Sequence, residues 1–221
     1  MKAVVLLAAA GRGDRLGAAL PKALVPLAGR SLLAHCMQRI DAAPVSGVIV
    51  AAPPGDRLVA REAERWTKLV SVVEGGLTRQ ASIAAALAAV PPGTEAVVCH
   101  DAARPLAAAA LFAAVLGALD AADGAVPVLR PTDTVKRLEG ETVVETIDRN
   151  GLGLAQTPQA FLLHALETAH RAAADEGFEA TDDAALVERA GFKVVAVPGH
   201  PSNIKVTHPG DLRVADHLAR G

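Results

Sequence analysis

The sequence reads AVVLLAAAGRGDR over residues 3–15 and LPKALVPLAG over residues 20–29. Val4 to Leu7 form a short, continuous apolar run of the kind found in fully buried parallel strands. Gly11 punctuates the end of this run, so the strand leads into a loop at the carboxyl edge of a sheet. The stretch therefore predicts an α/β fold in which the first strand is buried and opens into a glycine-rich loop.

The residues of this loop favour an anionic ligand. Gly11 and Gly13 allow backbone N–H groups to come close to a bound molecule. Arg12, Arg15 and Lys22 supply three cations within eleven positions. Because N–H donors and positive charges are combined in one loop, we predict a polyphosphate site here, the alternative being a solvated turn with incidental charges.

Two common nucleotide motifs do not fit the loop. The dinucleotide fingerprint G-x-G-x-x-G fails because Leu16 stands at the third glycine and no acidic residue closes a second strand near Val50. The P-loop fails because Lys22 follows Pro21 and because Ala23 has no hydroxyl group for a metal. The remaining pattern, A-A-G-x-G-x-R followed by P-K, resembles the glycine-rich start of nucleotidyltransferases that join a sugar or polyol phosphate to a nucleoside triphosphate.

Composition limits the possible classes of protein. The chain has 221 residues, 51% hydrophobic residues and a formal charge of −2, which suits one large globular α/β domain. Its basic residues are dispersed, so we expect no nucleic-acid partner. Aromatic residues make up only 2% of the chain, so a bound base must be recognised through backbone groups more than by stacking.

The location is predicted from the cysteines and from the apolar segments. Cys36 and Cys99 each lie in an apolar segment, as expected for buried, reduced thiols of a cytoplasmic protein. Arg12 and Arg15 interrupt the N-terminal apolar run, which does not resemble a signal peptide. No segment approaches the roughly 18 uncharged apolar residues of a membrane span, so we expect no membrane partner.

Short apolar runs alternate with longer helical patterns along the chain, which predicts a mostly parallel sheet covered by helices on both faces. The ligand is expected at the carboxyl ends of the strands. Further strands are predicted at residues 48–52, 69–73, 96–99, 125–129, 193–197 and 203–207. Helices are predicted from Ser31 to about 40, after Asp56, at 78–90, 107–121 and 162–175, from 181–183 to 190, and after Pro209.

Two later strand ends carry further candidate site residues. Gly75 and Gly76 precede a helix start, which gives free N–H donors or, alternatively, only a tight turn. Asp101 follows a central strand, where a carboxylate suits Mg²⁺. Arg104 is suited to bind an anion, unless it only pairs with Asp101. His100 is expected to serve in packing or hydrogen bonding.

The alternation breaks after residue 130. Residues 132–138 and 142–147 predict a β-hairpin, with a turn at 139–141. Val135, Val143 and Ile147 give this hairpin too little apolar surface to be stable alone in water. We therefore expect it to pack on another subunit.

Eight motifs in order resemble the 2-C-methyl-D-erythritol 4-phosphate cytidylyltransferase family of non-mevalonate isoprenoid biosynthesis. They span residues 9–207 and read AAGRGDR with PK, GGLTRQAS, HDAARP, TDTVKR, DRNGL, TPQ, TDDA and NIKVT. The resemblance implies a Rossmann-like, three-layer nucleotidyltransferase fold with a mostly parallel central sheet. It also implies a single domain over residues 1–221 and a protruding β-hairpin arm at about 132–150, through which the family forms homodimers.

The resemblance further implies that the 4-phosphate of methylerythritol attacks the α-phosphorus of CTP and displaces pyrophosphate. The implied catalytic residues, which stabilise the triphosphate, are Arg15, Lys22 and Lys205. The implied cytidine-binding residues are Ala9, Ala10, Gly11, Gly76 and Ser82. Asp101 would hold Mg²⁺ or another divalent cation. The residues implied for the polyol phosphate are Arg104, Thr157 and Thr181 on the near side, with Thr134 and Arg149 from the partner's arm.

The sequence departs from the family pattern at two positions and leaves two other functions open. The family often has Gln where Ala23 stands and a polar or acidic residue where Leu77 stands. A cytidylyltransferase for ribitol 5-phosphate shares the front half of the pattern, and Arg149, Thr157 and Thr181 would decide between the two acceptors. A catalytically silent nucleotide-binding scaffold is the third hypothesis.

Overall fold

A computed structural model describes residues 1–17 and 20–220. The predicted domain of residues 1–221 also includes 18, 19 and 221, which lie outside the described residues. The strands are β1 Ala3–Ala8, β2 Pro26–Leu27, β3 Arg30–Ser31, β4 Gly47–Ala52, β5 Leu69–Glu74, β6 Ala96–Asp101, β7 Gly124–Leu129, β8 Val135–Glu139, β9 Thr142–Ile147, β10 Leu154–Ala155, β11 Gln159–Leu162 and β12 Val194–Pro198. The α-helices are α1 Leu32–Asp41, α2 Arg57–Ala63, α3 Arg79–Leu87, α4 Ala109–Gly117, α5 Leu163–Glu176, α6 Asp183–Arg189 and α7 Pro209–Arg220.

Eight of these strands form the central sheet, in the order β10-β7-β11-β6-β1-β4-β5 with β12 also paired to β7. The pairs of β1 with β4 and β6, of β4 with β5, and of β12 with β7 are parallel. The strand β11 lies antiparallel between β6 and β7, and β10 is antiparallel to β7. The sheet is therefore mostly parallel, as predicted.

The two faces of β1 explain the three layers. Val5 and Leu7 join a core cluster with α1, α2 and α4 on one face of the sheet. Val4 and Leu6 join a second cluster with α3, α5 and α6 on the other face. Because successive strand residues point to opposite faces, an uninterrupted apolar run requires helices on both sides.

The helix starts follow the capping residues read from the sequence. Ser31 accepts a hydrogen bond from the backbone N–H of Ala34, and Asp56 accepts bonds from the first turn of α2. Thr78 and Asp182 cap α3 and α6 in the same way. Each cap satisfies backbone donors that have no partner within the helix.

Three predicted elements differ from the structure, and the strand β11 was not predicted. Within the described part of the chain, residues 203–207 form no strand; this segment is instead docked by the backbone N–H of Val206 on the carbonyl oxygen of Ala103, at 2.8 Å. The helix predicted to reach residue 90 ends at Leu87, and the helix predicted at 107–121 is α4 followed by one 3₁₀ turn at 118–120. β11 lies in a segment for which no strand was predicted.

The hairpin of β8 and β9 forms a two-stranded sheet separate from the central one. Leu138, Val143 and Val144 on this arm are 56%, 57% and 45% exposed. Two-stranded hairpins are marginally stable in water, and this one presents apolar side chains to solvent. The prediction of a protruding arm is confirmed, and its use in dimerisation stays a prediction.

None of the helices in the described ranges has the length and apolar character that crossing a membrane would require.

Candidate active site

The ends of β1, β5 and β6 surround one cleft at the carboxyl edge of the sheet. Backbone hydrogen bonds continue past the strand ends, from Ala9 to Ala51, from Gly75 to Ala52 and from Ala102 to Ala8, at 2.7–3.0 Å. The cleft has a volume of about 240 Å³. It is lined by Ala8, Ala9, Ala10, Gly11, Arg15, Lys22, Ala23, Gly76, Leu77, Arg79, Ser82, Asp101, Ala102, Ala103 and Lys205.

The cleft brings together residues that lie far apart in the sequence. Arg15 and Lys22 come from the first loop, Asp101 from the end of β6, and Lys205 from the segment before α7. The five residues predicted to bind the nucleoside line the same cleft; they are Ala9, Ala10, Gly11, Gly76 and Ser82. The predicted nucleotide side of the site is therefore contiguous.

The first loop folds back on itself around Gly13. Gly13 has a φ angle of +85°, and a Cβ atom built there would lie 3.3 Å from the Cα atom of Lys22. The backbone N–H of Lys22 donates to the carbonyl oxygen of Gly11 at 3.1 Å. A side chain at residue 13 would be strained by both the φ angle and the close approach. Glycine at this position thus allows Lys22 to return to the cleft.

The second glycine pair makes a tight turn on the opposite wall. A Cβ atom at Gly75 would lie 2.6 Å from the Cβ atom of Ala10, and one at Gly76 would clash with Ala81. The Ser82 hydroxyl accepts a hydrogen bond from the backbone N–H of Gly76 at 3.2 Å and donates to the carbonyl oxygen of Thr78 at 2.9 Å. Both glycines are needed for the close packing of this turn.

Asp101 is paired with two cations. Its side chain is only 8% exposed, with Oδ1 at 2.7 Å from Arg79 Nε and Oδ2 at 2.7 Å from Lys205 Nζ. Burial alone would raise the pKa of Asp101, but Arg79 and Lys205 hold this pKa well below its ordinary value. Arg104, the alternative ion-pair partner, instead donates from Nη1 to the carbonyl oxygen of Asn203 at 2.7 Å. Asp101 is therefore ionised at neutral pH.

The basic residues make the cleft electropositive. Burial lowers the pKa of Lys22, and the neighbouring charges of Lys205 and Arg15 lower it further. Like charges held close together destabilise one another until an anion binds between them. The electrostatics of the cleft thus suit a polyphosphate.

Two of the predicted acceptor residues lie beside the cleft. Thr157 Oγ1 accepts a hydrogen bond from the backbone N–H of Asp101 at 3.0 Å and lies 3.0 Å from His100 Nδ1. Arg104 is tied to the carbonyl oxygen of Asn203, on the segment that carries Lys205. Thr157 and Arg104 thus support the two ends of the Asp101–Lys205 pair.

The other three acceptor residues lie away from the cleft. Thr134 and Arg149 line a separate cavity at the base of the arm, where Arg149 Nη1 donates to the carbonyl oxygen of Thr132. Thr181 is exposed and immediately precedes Asp182, the N-cap of α6. Within the described chain, the five predicted acceptor residues do not form one pocket.

His100 and the cysteines have the environments predicted for them. His100 is 1% exposed, and its ring lies edge-on to Phe112 at 5.2 Å. Burial lowers the pKa of His100 to about 4, so it is neutral at pH 7. Cys36 and Cys99 are buried, free thiols, and burial raises the pKa of each.

Among the charged residues in the described lining of the cleft, Arg79 is the one to which the sequence reasoning gave no role. It pairs with Asp101 through Nε and with Asp183 through Nη1, each at 2.7 Å. A signal was present, since Arg79 begins the helix after the glycine pair and so lies at the same sheet edge as Asp101. What the sequence did not reveal was its second partner, which is more than a hundred positions away.

Among the described residues, no group of three or more His, Cys, Asp or Glu side chains is arranged to hold a metal ion. Asp101 is the single carboxylate among the residues that line the cleft. A protein-only metal cage is therefore not formed by this part of the chain. One carboxylate beside a polyphosphate site still fits the way Mg²⁺ binds, through few carboxylates together with substrate phosphates.

Comparisons with known proteins identify relatives of the chain over almost its whole length. The family described as IspD, 2-C-methyl-D-erythritol 4-phosphate cytidylyltransferase, matches residues 3–220. The chain is 44% identical to the enzyme of that name from Cereibacter sphaeroides strain KD131, over 99% of this chain and 97% of that protein. It is 45% identical to the one from Saccharopolyspora erythraea, over 98% of each. The crystal structure of the enzyme from Thermus thermophilus has a TM-score of 0.84 at 39% identity and covers 100% of both chains.

The mostly parallel sheet with a cation-lined, glycine-rich cleft at its carboxyl edge defines a nucleotidyltransferase. Within this class, the chain belongs to the 2-C-methyl-D-erythritol 4-phosphate cytidylyltransferase family. The resemblance read from the eight sequence motifs is thus confirmed.

Proposed function

We propose that this chain transfers a cytidylyl group from CTP to 2-C-methyl-D-erythritol 4-phosphate, as a step of non-mevalonate isoprenoid biosynthesis. The products are 4-diphosphocytidyl-2-C-methyl-D-erythritol and pyrophosphate. The observation that carries the proposal is the convergence of Arg15, Lys22 and Lys205 with Asp101 on one cleft. Family membership identifies the substrates.

The reaction needs positive charge more than it needs a general base. An oxygen of the 4-phosphate forms a bond to the α-phosphorus of CTP, the bond to the bridging oxygen breaks, and pyrophosphate leaves with the electron pair. The second pKa of a phosphate monoester is about 6, so the nucleophile is largely a dianion at neutral pH. Negative charge gathers at one phosphorus, and cations fixed in advance stabilise it.

The shared position of the three proposed catalytic cations in the cleft supports their assignment. Arg15 and Lys22 lie on the loop after β1, and Lys205 lies across the cleft beside Asp101. In this proposal they bind the triphosphate and the charge that develops on its α-phosphate. Burial and then repulsion by Lys205 and Arg15 lower the pKa of Lys22, and binding of the triphosphate would relieve the repulsion.

The nucleoside is proposed to bind on the glycine-rich walls. Ala9, Ala10 and Gly11 form one wall, and Gly76 with Ser82 forms the other. The described residues that line the cleft include no aromatic side chain, which supports recognition of cytosine by backbone groups. Leu77 also lines the cleft and is 99% exposed, so preference for CTP over UTP is part of the test below.

Mg²⁺ is the cofactor proposed for the reaction. Asp101 would contribute one carboxylate, and the phosphates of CTP and water would supply the other ligands. When bound, the ion would offset negative charge on the triphosphate. Asp101 meanwhile orients Lys205 through its Oδ2 atom.

The acceptor is proposed to bind between two subunits of a homodimer. Arg104, Thr157 and Thr181 would contribute from one chain, and Thr134 with Arg149 from the partner's arm. The exposed apolar side chains of the arm and the separate position of its cavity support this arrangement. The buried free thiols support a cytoplasmic location.

The test is pyrophosphate release from each of the four nucleoside triphosphates with methylerythritol phosphate and Mg²⁺. We expect release with CTP, and little or none with ribitol 5-phosphate as the acceptor. If no pyrophosphate were released with either acceptor, the proposed function would be contradicted. Omission of Mg²⁺ in a parallel reaction tests the cofactor separately.

A further inference from the structure

Arg79 connects the cleft to a buried carboxylate behind it. From the first turn of α3, its Nε atom lies 2.7 Å from Asp101 Oδ1 and its Nη1 atom lies 2.7 Å from Asp183 Oδ2. The side chain of Asp183 is 1% exposed, and among the described residues Asp183 is not part of the cleft lining. Arg79 thus forms ion pairs with one carboxylate inside the cleft, that of Asp101, and with one outside it, that of Asp183.

The contacts continue from Asp101 to a proposed catalytic cation. Asp101 uses Oδ1 for Arg79 and Oδ2 for Lys205, so the four side chains form one series of ion pairs, Asp183–Arg79–Asp101–Lys205. The series contains two carboxylates and two cations and has no net charge. This balance allows it to exist in a largely buried place, since an unpaired buried charge is strongly destabilising.

The position of the Lys205 ammonium depends on this series. The backbone next to Lys205 is held by the hydrogen bond from Val206 to Ala103, but its side chain is long and 45% exposed. Of the ion pairs in the described chain, that with Asp101 is the one that involves Lys205. A flexible ammonium group needs such a partner to stay in one place.

We infer that Asp183 and Arg79 are positioning residues, which fix the orientation of Asp101 and thereby place the Lys205 ammonium for triphosphate binding. The inference rests on the proposed function and extends it to Asp183, a residue that does not line the cleft. The planar guanidinium suits this role because two of its nitrogen atoms face two carboxylates at once, Nε through a hydrogen bond to Asp101 and Nη1 through an ion pair with Asp183.

A purely structural role for the pair is the competing explanation. Asp183 begins α6 and Arg79 begins α3, so the ion pair also joins two helices on one face of the sheet. Loss of this link alone would lower stability and reduce activity independently of Lys205. The two explanations differ in whether the loss of Asp183 and the loss of Lys205 have separate effects.

The experiment is a double-mutant cycle with Asp183→Asn and Lys205→Ala, measured as kcat/KM for CTP in pyrophosphate release. We expect Asp183→Asn alone to reduce kcat/KM by at least about tenfold, and to cause less than about a twofold further loss in the Lys205→Ala background. Independent, multiplicative losses would overturn the inference, as would full activity of Asp183→Asn.

Arg79→Lys supplies a second cycle, which decides the question if Asp183→Asn does not fold. This variant keeps the positive charge but loses the planar guanidinium, which can contact two carboxylates at once. We therefore expect a similar reduction of kcat/KM, which again depends on the presence of Lys205. Gln80→Met is the matched control, because Gln80 joins α3 to the backbone of Phe178 and Ala180 without touching Asp101. It should lower the thermal midpoint and keep kcat/KM.

Thermal unfolding of every variant separates folding from function. If the unsubstituted chain releases no pyrophosphate, the proposed function fails and the positioning role fails with it. If the unsubstituted chain is active and the two losses multiply, only the positioning role fails.

Discussion

The cleft and the arm differ in how their residues are held. At the cleft, hydrogen bonds join the ends of buried parallel strands, and Asp101 is fixed by Arg79 and Lys205 at 2.7 Å each. On the arm, Thr134 and Arg149 belong to a two-stranded sheet and its flanking turns, which are separate from the central sheet and whose apolar side chains are exposed. One half of the proposed site thus lies within one cleft of the chain, whereas the other half lies on an arm that we propose to contact a partner subunit.

The largest effect is expected at the cleft. Lys22→Ala should reduce kcat/KM by at least about 10²-fold, because it removes one of the charges that stabilise the transition state. Steady-state pyrophosphate release measures this loss. Lys193→Ala is the control, since Lys193 donates to the carbonyl oxygen of Ala121 at 3.0 Å and lies outside the cleft lining. Equal rates for Lys22→Ala and the unsubstituted chain would contradict the assignment.

The second effect concerns the buried scaffold of the cleft. The pKa of His100 is about 4 in the folded protein because of burial, so the unfolded chain takes up the proton first as the pH falls below 6.5. Its contribution to the free energy of unfolding is complete above about pH 6.5 and is lost as the pH falls towards 4. Between pH 7 and pH 5 this loss amounts to about 2 kcal/mol.

Urea denaturation at both pH values measures the His100 contribution. In His100→Asn the free energy of unfolding should differ less between pH 7 and pH 5, by about 2 kcal/mol. His217→Asn, at an exposed position on α7, removes one histidine in the same way and serves as the control. An unchanged pH dependence in His100→Asn would show that burial of His100 is not its source.

The third effect belongs to the arm. Arg149→Ala should raise KM for methylerythritol phosphate by about tenfold, a loss of about 1.4 kcal/mol, with little change in KM for CTP. Initial rates with each substrate varied in turn measure both constants. A rise in KM for CTP alone would contradict the proposal that Arg149 binds methylerythritol phosphate.

Mixed dimers test whether the arm acts across subunits. If Arg149 serves the partner's site, a dimer of one Lys22→Ala chain and one Arg149→Ala chain has one intact site and one doubly altered site. After unfolding and refolding an equal mixture, roughly a quarter of all sites would then be intact. If Arg149 serves its own chain, no site is intact and the activity stays near the level of the single variants.

The smallest effect compares two caps. Thr78→Ala removes the cap of α3 beside the cleft and should lower the free energy of unfolding by about 1 kcal/mol. Asp148→Ala removes the cap of a three-residue 3₁₀ turn on the exposed arm, and we expect a change within about 0.5 kcal/mol. Urea denaturation of the two variants measures both. Equal losses would mean that the arm is as tightly coupled to global unfolding as the cleft.

Much of the fold followed from local patterns. The strand β1 and the caps Ser31, Asp56 and Thr78 could be predicted because strand burial and capping depend on neighbouring residues. The antiparallel strand β11 was missed because its four residues are too few to show a period. Residues 203–207 were misread as a strand because several of them are β-branched, whereas the segment docks through long-range hydrogen bonds, from Val206 to Ala103 and from Arg104 to Asn203.

The site was predicted in part for the same reason. Residues with a motif of their own, such as Lys22, Asp101 and Lys205, could be assigned through the resemblance, and they line one cleft. Asp183 could not be assigned a role, because it acts through a partner more than a hundred positions away, and no local pattern records which carboxylate an arginine selects.

By itself, the sequence determined the alternation of strands and helices, the glycine turns and the motifs that identify the family, because these depend on short-range sterics and on residue chemistry. Only the tertiary structure decided the place of β11 between β6 and β7, the docking of residues 203–207 and the pairing of Arg79 with two carboxylates. Such contacts join distant parts of the chain, and their geometry is fixed only when the whole core packs.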